Sequence, residues 1–471
     1  MRILILGAGR TGRSVAEALA DEANEIVVID ADALRLEALK ELVNITTVIG
    51  NAAYPHILEQ AGIRQTDLVI AVTDRDETNI LACTIIHKLY NRPKTIARIR
   101  AIDYLKNPKL FGPEGIPIDI VISPEQSVME SIRNLIDLPG VLHVSDFANG
   151  LVRLFSVKVK ADGFLTGKKI KTLKGRLTEG KIRVVAIFRD GAALPTNGEA
   201  EIIANDEVFF FAPRLEVRRL LKDLGCLEKP LKRIIIAGGG HIGKRLAQAL
   251  EKDHHVKIIE GDLKRARKIA NELSHAIVIH GDSGDETLLL EESIDKTDLF
   301  CAITDNDGVN IISASLAKAH GARKAICILN HLSYNKLLPG TGIDLAVLPN
   351  VETLGGILKH VRLCDVAQIS LLRNGTAEAI EAIAHKGNGE NSVVGRKVDT
   401  VKLPEGIVLG ALIRNNEAIS IHHDTIFEED DHVVMFTLDK TLVPSIEEKF
   451  RSLVKLRDRG ANGKPGLAKL G

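Results

Sequence analysis

The sequence predicts an α/β protein made of two doubly wound parallel sheets, each followed by a small α+β domain. Three observations carry that expectation. Short β-branched apolar runs alternate with amphipathic stretches. The first run flows into a glycine-rich turn. The whole pattern then recurs further along the chain.

The first runs are residues 2–6, 25–30, 45–49, 68–72, 95–99 and 118–122. They are apolar throughout rather than alternating, as strands covered on both faces are. Amphipathic stretches from Ser14 to Asp21, Ala33 to Leu42 and Glu77 to Tyr90 lie between them and are expected to be helical. Strands joined by right-handed helical crossovers form a doubly wound parallel sheet. Gly7, Gly9 and Gly12 return as Gly238, Gly240 and Gly243, at an offset of 231, and "TDLVIAVTDRDETNI" (66–80) returns as "TDLFCAITDNDGVNI" (297–311). Self-similarity at a fixed offset signals tandem duplication. The segments 150–159 and 183–212 are answered by 375–384 and 406–437, with short alternating strands and polar turns such as "RDGAALPTNGE". A module of about 75 residues buries little apolar surface alone, so each copy is expected to pair with another. The joint between halves is placed at "LGCLEKPLK" (224–232).

Composition narrows the function. The 471 residues are 45% hydrophobic and 26% charged, with 62 basic side chains balanced by 62 acidic ones. A nucleic-acid binder is not expected from that neutrality, nor from 3% aromatic residues and no Trp. No apolar run reaches the roughly 18–20 residues that span a bilayer. A strand is expected to begin within three residues of Met1, so no signal peptide is expected there. Five scattered cysteines without a C-x-x-C pair read as reduced core residues of a cytoplasmic protein.

The glycine turns supply the candidate chemistry. Gly7, Ala8, Gly9, Arg10, Thr11 and Gly12 fit the G-x-G-x-x-G turn of a Rossmann-like fold. In that turn the first glycine permits the bend and the second admits a pyrophosphate against bare backbone. The third lets helix and strand approach, and the helix N-terminus faces the phosphates. Strand two ends in Asp30, 18 residues after Gly12, where a carboxylate can accept both ribose hydroxyls and would repel a 2′-phosphate. NAD(H) is therefore favoured over NADP(H). The second half offers Gly238, Gly240, His241, Ile242, Gly243 and, 17 residues on, Glu260. Asn51 and Ala52 follow strand three, with Asp282 in the corresponding place; Thr73 and Asp74 follow strand four, as Thr304 and Asp305 do. Carboxyl ends of strands are where open sheets bind ligands. Arg98 and Arg100 of "IARIR" share a face and are candidates for a phosphate, a neighbouring subunit or plain surface charge. Asp74, Asp76, Asp305 and Asp307 have a second reading as helix caps.

Other patterns are decoys. "GGGHIGKR" (238–245) nearly spells a nucleotide-hydrolysing phosphate loop, but Arg245 stands where a hydroxyl would ligate Mg²⁺. Adenine nucleotide binding without hydrolysis stays open. Tyr90 and Lys94 have dehydrogenase-dyad spacing, yet Pro93 breaks any helix between them. Cys83 and His87 share a helix face, but two ligands do not make a zinc site. The histidine pairs 254–255 and 422–423 read as solvated residues at strand entrances or turns.

A dehydrogenase also needs a domain that presents substrate to the cofactor. The small modules are short, polar-looped and present twice, and no acid, base and nucleophile set is found. A ligand-driven change of shape fits better than catalysis. "ILILGAGRTG", "AVTDRDETNILAC", "IARIR", "PIDIVISPEQ", "GGGHIG", "GDSGDETLL", "IDLAVLPN" and "AEAIEAIA" together resemble the cytoplasmic regulatory subunit of Trk-type potassium uptake systems, which carries tandem RCK (regulator of potassium conductance) domains. The resemblance covers about residues 1–450. It implies RCK N-terminal, Rossmann-like domains at 1–139 and 232–362, and RCK C-terminal domains at 140–225 and 363–450. It also implies a homotetramer with a ring of eight RCK units, peripheral on the inner face of the membrane and partnered with a Trk-type potassium-translocating subunit. NAD(H) is the implied ligand, with ATP and ADP as regulators, at the glycine turns, Asp30 and Glu260. The chain departs from the family at Asn51, where many members carry Asp, and at "CILNHLSY" (327–334), which lacks the arginines of "IARIR". The second site is thus expected to hold phosphates less tightly, or none. The basic tail, 451–471, is expected to be a disordered, solvated end, with contact to the membrane surface or the transporter as the second reading. The competing expectations are an NAD-dependent oxidoreductase and a nucleotide-responsive regulator of another transport system.

Overall fold

The computed structural model describes residues 1–20, 24–40, 44–90, 93–112, 114–173, 181–194, 196, 198–362, 365–386 and 392–450. The basic tail at 451–471 lies outside the described residues, as does Cys364. The chain forms two compact units, Met1–Ile132 with Leu231–Ile357, and Arg133–Pro230 with Leu358–Gly471. The duplicated elements are thus sorted by kind: both parallel sheets lie in one unit, and the antiparallel sheets lie in the other.

In the first parallel sheet the strands are Arg2–Leu6, Glu25–Asp30, Ile45–Ile49, Leu68–Ala71, Lys94–Arg98 and Ile120–Ile122. Their spatial order is third, second, first, fourth, fifth, sixth. Every neighbouring pair is parallel. Ile3, Leu4, Ile5 and Leu6 are all fully buried, so unbroken apolarity reflects cover on both faces rather than a helical stripe. The second sheet repeats this order with Arg233–Ala237, His255–Glu260, Ile277–His280, Leu299–Ala302, Lys324–Ile328 and Leu345–Val347. The expected helices also form, as Arg10–Ala20, Ala33–Glu37 and Asp76–Leu89.

Within this unit the halves touch directly. The Thr11 hydroxyl donates to Asn350 Oδ1 at 3.2 Å. The Ser131 hydroxyl, on helix Pro124–Asp137, donates to the Glu352 carboxylate, on helix Pro349–Val361, at 3.1 Å. Burial, and secondarily the nearby Glu130 carboxylate, raise Glu352 to about 7.

The other unit holds a pair of five-stranded antiparallel sheets, with a two-stranded one formed by Lys168–Lys169 and Glu201–Ile202. One of the pair holds Val141–Phe147, Val152–Lys158, Arg183–Arg189, Ala192–Leu194 and Glu207–Pro213; the other holds Val366–Leu372, Ala377–Ile383, Ile407–Arg414, Glu417–Ile419 and His432–Thr437. Phe188, Phe209 and Phe211 of the first pack into one core with Ala379, Ile413 and Phe436 of the second. The pairing that small modules require therefore occurs inside one chain. Gly410 shows how close it is: a Cβ there would come 2.2 Å from the Phe211 ring.

Cys83, Cys226, Cys301 and Cys327 are buried free thiols. Burial pushes Cys83, Cys301 and Cys327 up to about 12, which leaves them unreactive. Among the described residues no helix is long and apolar enough to cross a membrane.

Candidate functional site: two unequal crevices

Each parallel sheet reverses its winding between its first and fourth strands, which opens a crevice at their carboxyl ends. In the first half the chain leaves strand Arg2–Leu6 through Gly7, whose φ of +107° suits glycine and whose N–H donates to Ile29 O at 2.7 Å. A Cβ on Gly7 would lie 3.0 Å from the Thr73 backbone, and one on Gly12 only 1.8 Å from Gly7 O. Gly9 is different: a Cβ there would meet nothing within 4 Å. Two glycines are required by the protein's own packing, and the middle one is bare toward open space. A pyrophosphate needs that bare approach at the start of helix Arg10–Ala20, whose first N–H groups lack intrahelical partners.

Asp30 closes the turn from the neighbouring strand. Its carboxylate accepts from Ala8 N–H at 2.6 Å and from Asp32 N–H at 2.8 Å, one bond per oxygen. A carboxylate has about four acceptor positions, so room remains for the two hydroxyls of a ribose. Gly7, Ala8, Gly9, Arg10, Thr11, Asp30, Asn51, Ala52, Thr73, Asp74 and Arg98 all line one crevice of about 1250 Å³. Gly12 packs beneath the turn instead. Asn51 shapes its own turn, accepting from Ala53 N–H at 2.9 Å.

The second half repeats the frame. Gly238 has φ +109°, a Cβ on Gly243 would lie 1.9 Å from Gly238 O, and one on Gly240 would meet nothing within 4 Å. Glu260 accepts from Gly239 N–H at 2.9 Å and Asp262 N–H at 2.8 Å. A Cβ at 239 would stand 2.5 Å from Ile269 Cδ1 and 2.9 Å from Glu260 Oε2, so the second turn has a glycine where the first has Ala8. Gly238, Gly240, Glu260, Asp282 and Thr304 line a crevice of about 540 Å³. His241, Ile242 and Gly243 open helix His241–Leu250 and do not line it. Asp282 accepts from Gly284 N–H at 2.8 Å, the same local task that Asn51 performs.

The two crevices differ in charge and in walls. Arg10, Arg13, Arg35, Arg75, Arg98 and Arg100 line the first against Asp30, Asp32 and Asp74, a net of +3; Asn330, Pro349 and Asn350 of the other half complete it. The second carries Arg265 against Glu260, Asp282 and Asp305, a net of −2. Arg98 and Arg100 both lie 3.6 Å from one carboxylate, Glu125. Burial, then the facing Arg100, holds Arg98 below the usual guanidinium range. The Nε atoms of Arg98 and Arg100 and Glu125 Oε2 are buried without a hydrogen-bond partner. Positive charge left incompletely paired beside a helix N-terminus is what a phosphate would neutralise.

Several sequence expectations are redirected. Asp76 and Asp307 do not cap their own helices. Asp76 accepts from Arg100 N–H at 2.9 Å and Ala101 N–H at 2.8 Å, and Asp307 accepts from the backbone and side chains of Asn330 and His331. They fasten the loop after strand five because the acceptor is one residue inside the helix and points across to it. Although burial opposes it, those bonds hold Asp307 below the usual carboxylate range. Lys244 of the near-miss phosphate loop is paired with Glu272. Tyr90 ends the helix Asp76–Leu89 and its hydroxyl donates to Pro55 O at 3.2 Å, which excludes the dyad. Asn79 and Asn310 were missed altogether. Asn79 accepts from Thr73 N–H and donates to Arg98 O, tying strands four and five together; Asn310 does the same with Thr304 and Ile328. Their identity in both copies of "TD…N" was the available signal.

Taken together, the frame defines a tandem pair of dinucleotide-type α/β folds, each with its own antiparallel module. The TrkA-N domain model matches residues 3–124 and 234–349. The GsuK RCK domain structure superposes with a TM-score of 0.60 at 16% identity, over 95% of this chain and 94% of that one. A Trk system potassium uptake protein TrkA from Halomonas elongata is 43% identical over 96% of this chain and 99% of its own length. The Vibrio alginolyticus protein of the same name is 42% identical, over the same shares. A Methanosarcina mazei homolog is 31% identical over 96% of this chain and all of its own. The chain belongs to the family of Trk system potassium uptake proteins TrkA.

Proposed function

We propose that the chain is the nucleotide-responsive regulatory subunit of a Trk-type potassium uptake system and that NAD(H) binds in the first crevice. The observation that carries this reading is Gly9, open to space between two glycines locked by packing, facing Asp30 across a crevice of net positive charge. The adenosine ribose would rest on Asp30, the diphosphate on the turn and helix N-terminus, with Arg98 or Arg100 neutralising charge. ATP and ADP, which share the adenosine and phosphates, would compete there. GsuK, an RCK-bearing channel of the same fold, has been solved bound to NAD, with a TM-score of 0.60. Potassium uptake comes from the names of the relatives.

The reading is regulatory rather than enzymatic. The ligand would bias the angle between lobes only through its differential affinity for their arrangements. The protein would act as a homotetramer, an eight-unit ring on the inner face of the membrane against the potassium-translocating subunit. The direct test is calorimetry of NADH against the full chain and its Gly9→Val variant. Binding by the wild type and at least about tenfold weaker binding by a folded Gly9→Val supports the reading; equal binding contradicts it.

A further inference from the structure

At one end of the second antiparallel sheet, three chain segments are held together by main-chain bonds. Ile383 N–H donates to Asp365 O at 2.9 Å, Asp430 N–H to Ala384 O at 2.8 Å and Ala384 N–H to Asp431 O at 2.9 Å. Four side chains gather there. Asp365 Oδ2 is 3.0 Å from His385 Nε2, a hydrogen-bond distance. On the other side of the ring, Nδ1 lies 3.5 Å from Glu429 Oε1 and 3.6 Å from Asp430 Oδ1. Those separations exceed an N–H···O hydrogen bond. They approach the roughly 3.3–3.4 Å between ligand atoms of a tetrahedral site with bonds of about 2.0–2.1 Å. Among the described residues, His385, Glu429 and Asp430 are the group whose donor atoms converge so that one ion could be held.

The duplication supplies an internal control. The first antiparallel module has the same corner: Asn205 N–H donates to Val159 O and Val159 N–H to Asp206 O, both at 2.8 Å. The bidentate pair Arg414–Asp431 is repeated there as Arg189–Asp206. The fold uses that pair twice. The cluster occurs once: Gly140, Lys160, Ala204 and Asn205 stand where Asp365, His385, Glu429 and Asp430 do. A corner that folds with a lysine, an alanine and an asparagine does not need the cluster for its architecture.

We propose that His385, Glu429 and Asp430 bind a first-row divalent transition cation, with Asp365 orienting the imidazole. Asp365 accepts the Nε2 proton, which fixes the tautomer and leaves the Nδ1 lone pair facing the two carboxylates. A carboxylate–histidine–metal arrangement has this form. One imidazole with two carboxylates suits Zn²⁺ or Mn²⁺ better than Mg²⁺ or Ca²⁺, which favour oxygen alone. The site lies in the module that the nucleotide reading leaves without a task, and stands independently of that reading.

The test is calorimetric titration of the full chain, stripped with chelator, with Zn²⁺ and separately with Mn²⁺. One ion per chain is expected. His385→Ala and the double variant Glu429→Gln/Asp430→Asn should weaken it at least tenfold, and Asp365→Asn by about 10-fold, as for other lost orienting partners. His423→Ala, an exposed histidine outside the cluster, should leave it unchanged. Melting curves without metal should be alike for all of these variants, and Zn²⁺ should raise the melting temperature of the wild type but not of His385→Ala. Failure of both ions to bind, or binding that survives His385→Ala, overturns the proposal. So does an NMR titration showing His385 as a metal-indifferent imidazolium held by its carboxylates.

Discussion

The two crevices share a backbone and differ in what lines it. In each, a first and a third glycine are required by packing, a middle glycine is open, and a carboxylate from strand two ties down the turn. The first adds six arginines and a wall from the other half; the second has one arginine among three acids. Duplication preserved what the sheet needs in order to fold, while the groups that would meet a ligand diverged. The locked glycines therefore report on architecture, and the differing lining is where a difference in ligand preference would arise.

The comparison can be broken most sharply at the glycines. Gly12→Val places a side chain where even a Cβ would be 1.8 Å from Gly7 O. It should destabilise the first parallel domain by several kcal/mol, more than the ~1–3 kcal/mol of ordinary overpacking, visible as a lowered melting temperature. Gly9→Ala should leave that temperature nearly unchanged while weakening dinucleotide binding. If both variants melt alike, the distinction between locked and open glycines is wrong.

Next in size is the carboxylate pair. Asp30→Ala removes the acceptor proposed for the ribose and also releases the Ala8 and Asp32 amides. It should weaken NADH binding at least tenfold and cost about 1–3 kcal/mol of stability from the amides left unpaired. Glu260→Ala should show a comparable loss of stability by denaturant melting with little effect on the tightest NADH step. Charge comes third. Raising salt from about 50 to 200 mM should weaken nucleotide binding to the first crevice, whose net charge is +3, because counterions screen such a field. Calorimetry at the two salt concentrations checks this.

Much of this contrast was legible in the sequence because it is local. Buried parallel strands announce themselves as unbroken apolar runs, and a glycine turn followed by a terminal acid has a fixed spacing. The offset between "IARIR" and "CILNH" exposed the missing arginines. What the sequence concealed depends on the fold bringing distant residues together. Asn350 reaches Thr11 across 339 positions. The cluster at His385 draws on residues from Asp365 to Asp430 and carries no spacing signature. Asp76 and Asp307 sit where helix caps are common, and only the position of the following loop shows that they hold a different set of amides. The pairing of Lys244 with Glu272, 28 positions away, has no local signature either.

A last expected effect is a pH dependence at the contact between the halves. Glu352 ionises at about 7 in the fold, against an ordinary value of 4.5. A carboxyl whose pKa is raised by folding stabilises the fold while protonated. Its contribution is present below about 4.5 and is lost as pH rises through 7. Glu352→Gln should flatten that part of the stability profile and melt above the wild type at pH 8. A profile parallel to the wild type's would show that Glu352 titrates normally.

The most direct test of the account is calorimetric titration of NADH into the full chain, comparing wild type, Asp30→Ala and Glu260→Ala at one salt concentration. The tight step should vanish in Asp30→Ala and survive in Glu260→Ala. A tight step that survives Asp30→Ala, or that is lost only with Glu260→Ala, would contradict the assignment of the dinucleotide to the first crevice.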